Sequence, residues 1–553
     1  MRPRHDLKGN LMRRLSLPTA LLTAFLLTLP LVAVLYLAAV LIGVAFSPFN
    51  LFDLVARLLP GNLLTIGIDF MVDSIRALNI GATDTTAKLA EQMMAVLMFG
   101  GVGLLAALVY LHATPRLLAH TGSAARDVRA SGLVFGLVFG LPMLLISQSL
   151  DRAATVPPWA TTVWLIAAFG LWGLALAQCL YGLTRTTQQP QVEVEITTLS
   201  RRQFLIQIGG AAATITLFGT GLAALINSTR STATELLSLS GDIAARLPNA
   251  NDLVQPATGT RPEYTPLAQH YRIDINTGSG PALAEDTYHL VMNGLVETPL
   301  ELTLEEIRAL PSTEQFVTMS CISNRLAGDL IGTTLWTGTS MQNLIELARP
   351  TPEATHIRIT AADGFDEYVD LATIREDASV MLAWAWDGQP LTQRHGFPLR
   401  IHIPNHYGMK QPKWITGMEF VSEWGEGYWV RRGWDRDALV RATSVIDTIA
   451  SDMMVIDADA NRFLPIGGIA WAGARGIARV EVQIDGGAWQ AAQLRQPLSD
   501  RTWVVWRYDW RFEPGEHAFA VRCTEADGTP QIETVEGVRP SGATGVHSVR
   551  ETL

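Results

Sequence analysis

Along the first 230 residues the polar positions thin out into long gaps. Five charge-free apolar stretches lie between Arg14 and Asp53, Glu91 and Arg116, Arg129 and Asp151, Arg152 and Arg185, and Arg202 and Arg230. Each supplies about 20 apolar residues, the length at which an α-helix crosses the hydrocarbon core of a bilayer. The segment 54–75 breaks this pattern with Arg57, Pro60, Asp69 and Asp73, and predicts an interfacial or re-entrant piece. Basic residues fall in alternate loops: Arg2, Arg4, Lys8, Arg13 and Arg14 before the first stretch, Arg116, Arg126 and Arg129 after the second, and Arg185, Arg201 and Arg202 after the fourth. With five spans these loops share one side, and the positive-inside rule makes that side cytoplasmic. Residues 231–553 then lie outside, in a multi-pass protein of the cell membrane in contact with lipid. If 54–75 also crosses, that parity flips.

Past residue 230 the pattern changes twice. Residues 231–262 are polar, with Pro, Asn, Gly and Thr, and predict a short helix and a spacer. From 263 to 447, strand-like runs at 288–293, 315–319, 356–360, 380–384 and 399–403 mix with short helical runs. The helices start at Thr303-Leu304-Glu305-Glu306 and at 340–349, where Ser340 is placed as an N-cap. Without a long, regular βα rhythm this is an α+β domain. From 448 to 553 the runs alternate strictly, as in Ala478–Ile484, and Asp485-Gly486 and Pro514-Gly515 provide turns. Such spacing predicts a β-sandwich. The fold class is therefore multidomain: an α-helical membrane domain (1–230), a linker (231–262), an α+β domain (263–447) and a β-sandwich (448–553).

Charge sharpens the division. Of 42 Lys and Arg and 52 Asp and Glu, residues 1–230 hold 16 and 10, leaving 26 and 42 for the remainder. A mildly basic membrane part thus carries an acidic body, and no basic patch points to nucleic acid. Only His5, His112 and His120 precede residue 230. That is too few paired histidines for a membrane haem, and leaves an anchor. Ser200-Arg201-Arg202-Gln203-Phe204-Leu205, ahead of the apolar stretch 206–226, resembles a twin-arginine export signal; it reads equally as two positive-inside arginines.

Candidate chemistry sits in three stretches of the α+β region. The three cysteines, Cys179, Cys321 and Cys523, form no CxxC or Cys/His cluster, which argues against zinc, iron–sulfur and c-type haem sites. A Cys321–Cys523 disulfide stays open, since geometry decides it. Cys321, in TMSCISNR, ends a strand-like run, and Arg325 nearby would lower its pKa. Arg394–Arg400 forms a turn entering a strand. Tyr407–Trp414 holds a glycine turn and two lysines, Lys410 and Lys413, suited to an anion. Taken singly, Cys321 reads as a small core hydrophobe, a nucleophile or a soft metal ligand.

SCISNRLAGDLIGTTLWTGTSMQNLIELA, HGFPLRIHIPNHYGMKQPKWI and GYWVRRGWDRDAL, in this order, resemble the molybdopterin-binding domain of the sulfite oxidase family, in particular its membrane-anchored bacterial members. The tail, with GGIAWAGARGIARVEVQIDGGAW, resembles the family's immunoglobulin-like dimerisation domain, which implies a homodimer. The resemblance covers about residues 265–550. It implies that Cys321 ligates the molybdenum of a molybdenum–molybdopterin cofactor. It further implies that Tyr271, Arg272, Asn324, His395, Arg400, Gly408, Met409, Lys410 and Lys413 lie along or hold the pterin and its phosphate. Arg325, with Cys321, is the implied catalytic residue, drawing in a small oxyanion or S-oxide, while a separate electron-transfer partner exchanges electrons. The pattern departs at Leu326, where sulfite oxidases have a second arginine, and at Trp434, about where they have a tyrosine. Those departures leave a methionine-sulfoxide-type reductase as an alternative. A cofactor-free scaffold of the same fold is the alternative of another class.

Overall fold

The computed structural model describes residues 15–78, 81–118, 125–151, 153–184, 206, 209–217 and 247–553. The chain forms two compact units. One comprises Met1–Leu59, Lys88–Thr234 and Asn276–Ala282, the other Pro60–Ala87, Glu235–Ile275 and Leu283–Leu553.

The N-terminal helices are α1 (Leu17–Ile42), α2 (Ser47–Leu58), α3 (Gly61–Leu78), α4 (Thr83–Leu118), α5 (Ala125–Leu150) and α6 (Pro158–Thr184). Among the described residues four of them, α1, α4, α5 and α6, are long and apolar enough to cross a membrane. The fifth expected span, 206–226, is described, as helix, only at 206 and over 209–217; the twin-arginine-like hexapeptide lies outside the described residues, as do residues 231–246 of the linker. Helices α5 and α6 pack backbone to backbone. Gly132, Gly136 and Gly140 recur every four residues, and a Cβ on Gly136 would come within 2.2 Å of the Phe169 carbonyl oxygen. Small residues at this spacing let helices approach closely in a bilayer.

The segment 54–75, expected as one interfacial piece, is two helices. Pro60 bars a helical conformation at the residue before it, and Leu59 is accordingly extended (φ −63°, ψ 139°). Helix α3 then belongs to the second unit rather than to the first. It buries Thr65, Val72 and Ile75 and exposes Leu63, Ile66 and Phe70.

The second unit holds two layers of mixed structure followed by a sandwich. Its first elements are β1 (His289–Gly294), β2 (Leu300–Thr303), α7 (Leu304–Arg308), β3 (Ser312–Ser320), β4 (Ile331–Ser340), α8 (Met341–Ala348), β5 (His356–Ala361), β6 (Asp366–Asp370), α9 (Leu371–Glu376), β7 (Met381–Trp386), β8 (Gln389–Pro390), β9 (Arg400–His402) and β10 (Ile415–Val421). They form sheets β2-β1-β10-β5-β6 and β3-β4-β7-β8, with β9 paired to β7. Only β1 and β10 run parallel, as an α+β reading requires. Thr303 completes a capping box with Glu306 on α7, and the Ser340 hydroxyl accepts from Gln342 N at the start of α8, both at the expected caps.

The tail consists of β11 (Thr443–Ile449), β12 (Val455–Ile456), β13 (Arg462–Trp471), β14 (Ile477–Ile484), β15 (Gln490–Ala491), β16 (Gln493–Leu494), β17 (Val504–Arg511), β18 (Glu516–Glu525) and β19 (His547–Thr552). Sheets β11-β13-β17-β16 and β15-β14-β18-β19 share one core of Ile446, Leu464, Ile466, Val480, Val482, Trp506, Phe519 and Val521. The sandwich begins at Thr443, a few residues ahead of its expected start. All three cysteines are free, and Cys523 is buried in this core.

Candidate active site

Strand β3 delivers Cys321. Its backbone N donates to Leu330 O (3.0 Å), Asn324 N donates to Cys321 O (3.0 Å), and Asn324 Oδ1 accepts from Leu330 N (3.0 Å). The loop 321–330 is thus closed at its neck, and the Asn324 side chain is spent on closing it. Cys321 Sγ lies 3.0 Å from Ser323 Oγ. Burial pushes the thiol above its ordinary value, with opposing help from Ser323. This corrects the expectation that Arg325 lowers it: Arg325 turns away, and its Nη2 lies 2.8 Å from Asp73 Oδ1 and 3.7 Å from Asp69 Oδ1.

The other stretches converge on the same place. A Cβ on Gly408 would lie 3.3 Å from Tyr271 Oη and 3.4 Å from Ser320 O, so the Gly408 turn, Tyr271 and the Cys321 strand end meet. Gly396 adopts φ +109°, a region open to glycine, and a Cβ there would lie 3.0 Å from Lys413 Cβ. Cys321 itself packs on the cluster of Tyr271, Met319, Trp336 and Trp386.

Arg400, on β9, crosses that cluster. Its guanidinium carbon sits 4.8 Å from the ring centres of both Trp336 and Trp386. Nη1 donates to His395 O (3.1 Å) and Nη2 reaches Met319 Sδ (3.3 Å). Nε has no protein partner, nor do the neighbouring indole nitrogens of Trp336 and Trp386. Arg400 is only 2% exposed, yet among the described residues no carboxylate lies within ion-pair distance. Burial pushes it down to about 9. A buried cation without a counter-charge is costly, on the order of several kcal/mol. Burial likewise pushes His270 down to about 3 and His395 well below its usual value, so both rings are neutral.

The lysines separate. Lys413 Nζ lies 3.0 Å from Asp274 Oδ2, which also holds Arg272 Nε at 2.7 Å; burial pushes Lys413 down to about 8. Arg272 N donates to Asp84 Oδ2 at 2.8 Å, fixing the Tyr271-Arg272 backbone. Lys410 Nζ pairs with the buried Glu367 at 2.9 Å, so the two lysines of one turn serve different carboxylates. Met409 packs in an apolar cluster with Ile322, Tyr407 and Trp434. Sequence reasoning missed Trp336, Trp386, His270, Asp274 and Glu367. Nothing along the chain set the tryptophans apart, whereas His270 and Asp274, flanking Tyr271-Arg272, carried a nearby signal.

Among the described residues no group of three or more His, Cys, Asp or Glu could hold a metal.

Residues 277–429 match the oxidoreductase molybdopterin binding domain, and residues 438–529 match the Mo-co oxidoreductase dimerisation domain. Uncharacterized oxidoreductase YuiH of Bacillus subtilis is 32% identical over 161 residues, 29% of this chain and 79% of that protein. Mitochondrial sulfite oxidase of Rattus norvegicus is 25% identical over 296 residues, 46% of this chain and 54% of that protein. The putative protein-methionine-sulfoxide reductase subunit YedZ1 of Azospira oryzae is 29% identical over 149 residues, 27% of this chain and 55% of that protein. The chain thus spans about half the length of the mitochondrial sulfite oxidases it matches. It belongs to the sulfite oxidase family of molybdopterin-dependent oxidoreductases, an enzyme family with a molybdenum cofactor. Membership removes the cofactor-free scaffold. Tyr271 and Arg272 lie just ahead of the matched span.

Proposed function

We propose that this chain is a membrane-anchored molybdenum-cofactor oxidoreductase that transfers an oxygen atom to or from a small oxyanion or S-oxide outside the cytoplasm. Arg400 carries the reading. A buried guanidinium with an unpartnered Nε, packed against an adjoining pair of tryptophans beside the Cys321 strand, fits a site completed by an anionic ligand. The phosphate of a pterin cofactor is such an anion. In this assignment Cys321 would hold the molybdenum through its sulfur, as a thiolate. Arg400, His395 and Lys413 hold the phosphate, with the Gly408 turn closing over the cofactor from the Tyr271 side. Arg272 acts through Asp274, which orients Lys413. Asn324, Met409 and Lys410 hold the surrounding loops rather than the ligand. When bound, the cofactor supplies two-electron oxygen-atom transfer, and the protein positions and shields it.

The positive-inside pattern and the arginine pair at 201–202 support an extracytoplasmic catalytic unit on the cell membrane. We read the domains as 1–230 membrane, apart from helix α3, which groups with the second unit, 231–262 linker, 263–447 molybdopterin-binding and 448–553 immunoglobulin-like, with β11 starting the sandwich at Thr443. The match to a dimerisation domain supports a homodimer, with electrons exchanged through a separate partner. The YedZ1 relative and Leu326 in place of a second arginine favour reductive transfer from an S-oxide as the second reading.

Metal analysis of the detergent-purified full chain, made in a cofactor-producing host, tests the assignment. Near-stoichiometric molybdenum, lost on Cys321→Ala with the fold retained, is expected. Full molybdenum retention by that variant would overturn the role of Cys321, and its absence from the wild type would sink the whole reading.

A further inference from the structure

Helix α3 carries Asp69 and Asp73 four residues apart, hence on one face. That face meets the loop after Cys321. Asp73 Oδ1 lies 2.8 Å from Arg325 Nη2, Asp69 Oδ2 lies 2.9 Å from Arg539 Nε, and Arg76 Nη2 reaches Leu326 O at 3.5 Å. Arg539 in turn stacks over Trp434, 4.2 Å from its ring centre. The start of the helix is seated as firmly, since a Cβ on Gly61 would come within 2.8 Å of Arg432 Cα.

A cavity opens at the end of β3, next to Cys321 in sequence, and is lined by Ser320, Asn324, Arg325, Tyr407, Arg261 and Arg441 among others. Each of its three arginines is matched to a carboxylate. Arg261 pairs with Asp447 at 2.6 Å, Arg441 with Glu536, and Arg325 with the two carboxylates of α3. The first two pairs are formed among the linker's end, the α+β domain and the sandwich. The third is imported from the membrane half of the sequence, at the arginine four residues after Cys321. A small dianion entering here meets three arginines that are each already paired to a carboxylate of the chain, which weakens their hold on it.

We propose that Asp69 and Asp73 are specificity-determining positioning residues: by holding Arg325 in an ion-pair network they exclude free oxyanions and leave the cavity to an uncharged or cationic substrate. This rests on the reading that the cavity at the end of β3 takes the substrate, and it selects within the two substrate classes named above.

Sulfate binding to the detergent-purified full chain, followed by titration calorimetry at low salt, tests it without turnover. Asp69→Asn/Asp73→Asn should bind sulfate at least tenfold more tightly than the wild type. The gain should vanish when Arg325→Gln is added and should shrink with added salt, whereas a merely structural role would move neither. Asp73 is the more exposed of the two, so Asp73→Asn alone keeps the test available if the double variant does not fold; it should give a gain of several-fold, and Asp73→Glu none. Unchanged sulfate affinity in folded variants, or a gain that survives Arg325→Gln, overturns the proposal. Molybdenum content of the same samples reports separately on the cofactor assignment, so the two can fail independently.

Discussion

Two arginines near Cys321 have opposite surroundings. Arg400 lies within the α+β domain, 2% exposed, packed against the adjoining Trp336 and Trp386, and among the described residues no carboxylate lies within ion-pair distance. Arg325 lies at the cavity edge, less deeply buried, and is held by Asp69 and Asp73. Burial alone would favour the reverse, because the cost of an unpaired charge rises as water is removed. The inversion is intelligible if the buried cation is paired by a bound ligand while the outer one is paired by the chain itself. Charge in this region then divides into a part that retains a cofactor and a part that filters what reaches it.

The largest expected effect follows directly. Arg400→Met should lower molybdenum retention more than tenfold in metal analysis, whereas Arg325→Gln should leave it near the wild-type level. Equal retention by the two variants would break the contrast. Next is the Lys410–Glu367 pair, where the fold supplies both charges in a buried place. Lys410→Met strands a buried carboxylate and should cost about 3–5 kcal/mol in chemical denaturation. Lys410→Met/Glu367→Leu should recover most of that; if the double variant is as unstable as the single one, the pair is not coupled.

A smaller effect is set by pH. His270 and His402 are pushed down by burial to about 3 and about 4, and His395 falls in the same direction. Their unfolded forms take up protons near the ordinary histidine pKa of about 6.5, while the folded forms stay neutral. The stability they confer is therefore complete above that pH and is lost as pH falls towards about 4, at up to about 1.4 kcal/mol per pH unit for each histidine. Melting temperatures of the molybdenum-free protein between pH 7 and pH 4.5 should show this decline. A phosphate beside His395 favours its protonated form, so the loaded protein should lose less over the same interval. Parallel curves would argue against an anion at this place. The mildest change is Asp73→Asn, which should leave the melting temperature within a degree or two, because exposed ion pairs contribute about 0–1 kcal/mol.

Much of the framework was legible along the chain. The apolar gaps gave α1, α4, α5 and α6, because twenty uncharged residues leave a helix in lipid few alternatives. The alternation at Ala478–Ile484 became β14, and Thr303 and Ser340 capped the helices they preceded. Three stretches chosen for cysteine, arginine and glycine-lysine chemistry came together around Tyr271 and Cys321. What failed was assignment of side-chain partners. Lys410 and Lys413 looked like one phosphate clamp but face different carboxylates, because a single turn aims them apart. Arg325 looked like a cation for Cys321 and was claimed by α3. Trp336 and Trp386 carried no mark that separated a cation cradle from core.

The sequence by itself determined the four long apolar helices, the α+β and sandwich regions, and the order of the chemical stretches. These follow from local properties: run length, a period of two or of 3.6, and the turn preferences of glycine and proline. Tertiary structure alone decided which cations are neutralised and which are left for a ligand. Arg76 and Leu326 stand 250 positions apart, and Asp69 and Asp73 are equally remote from Arg325. Electrostatic pairing depends on distance in space and on the water excluded around the pair, and neither quantity is written in the neighbours along the chain.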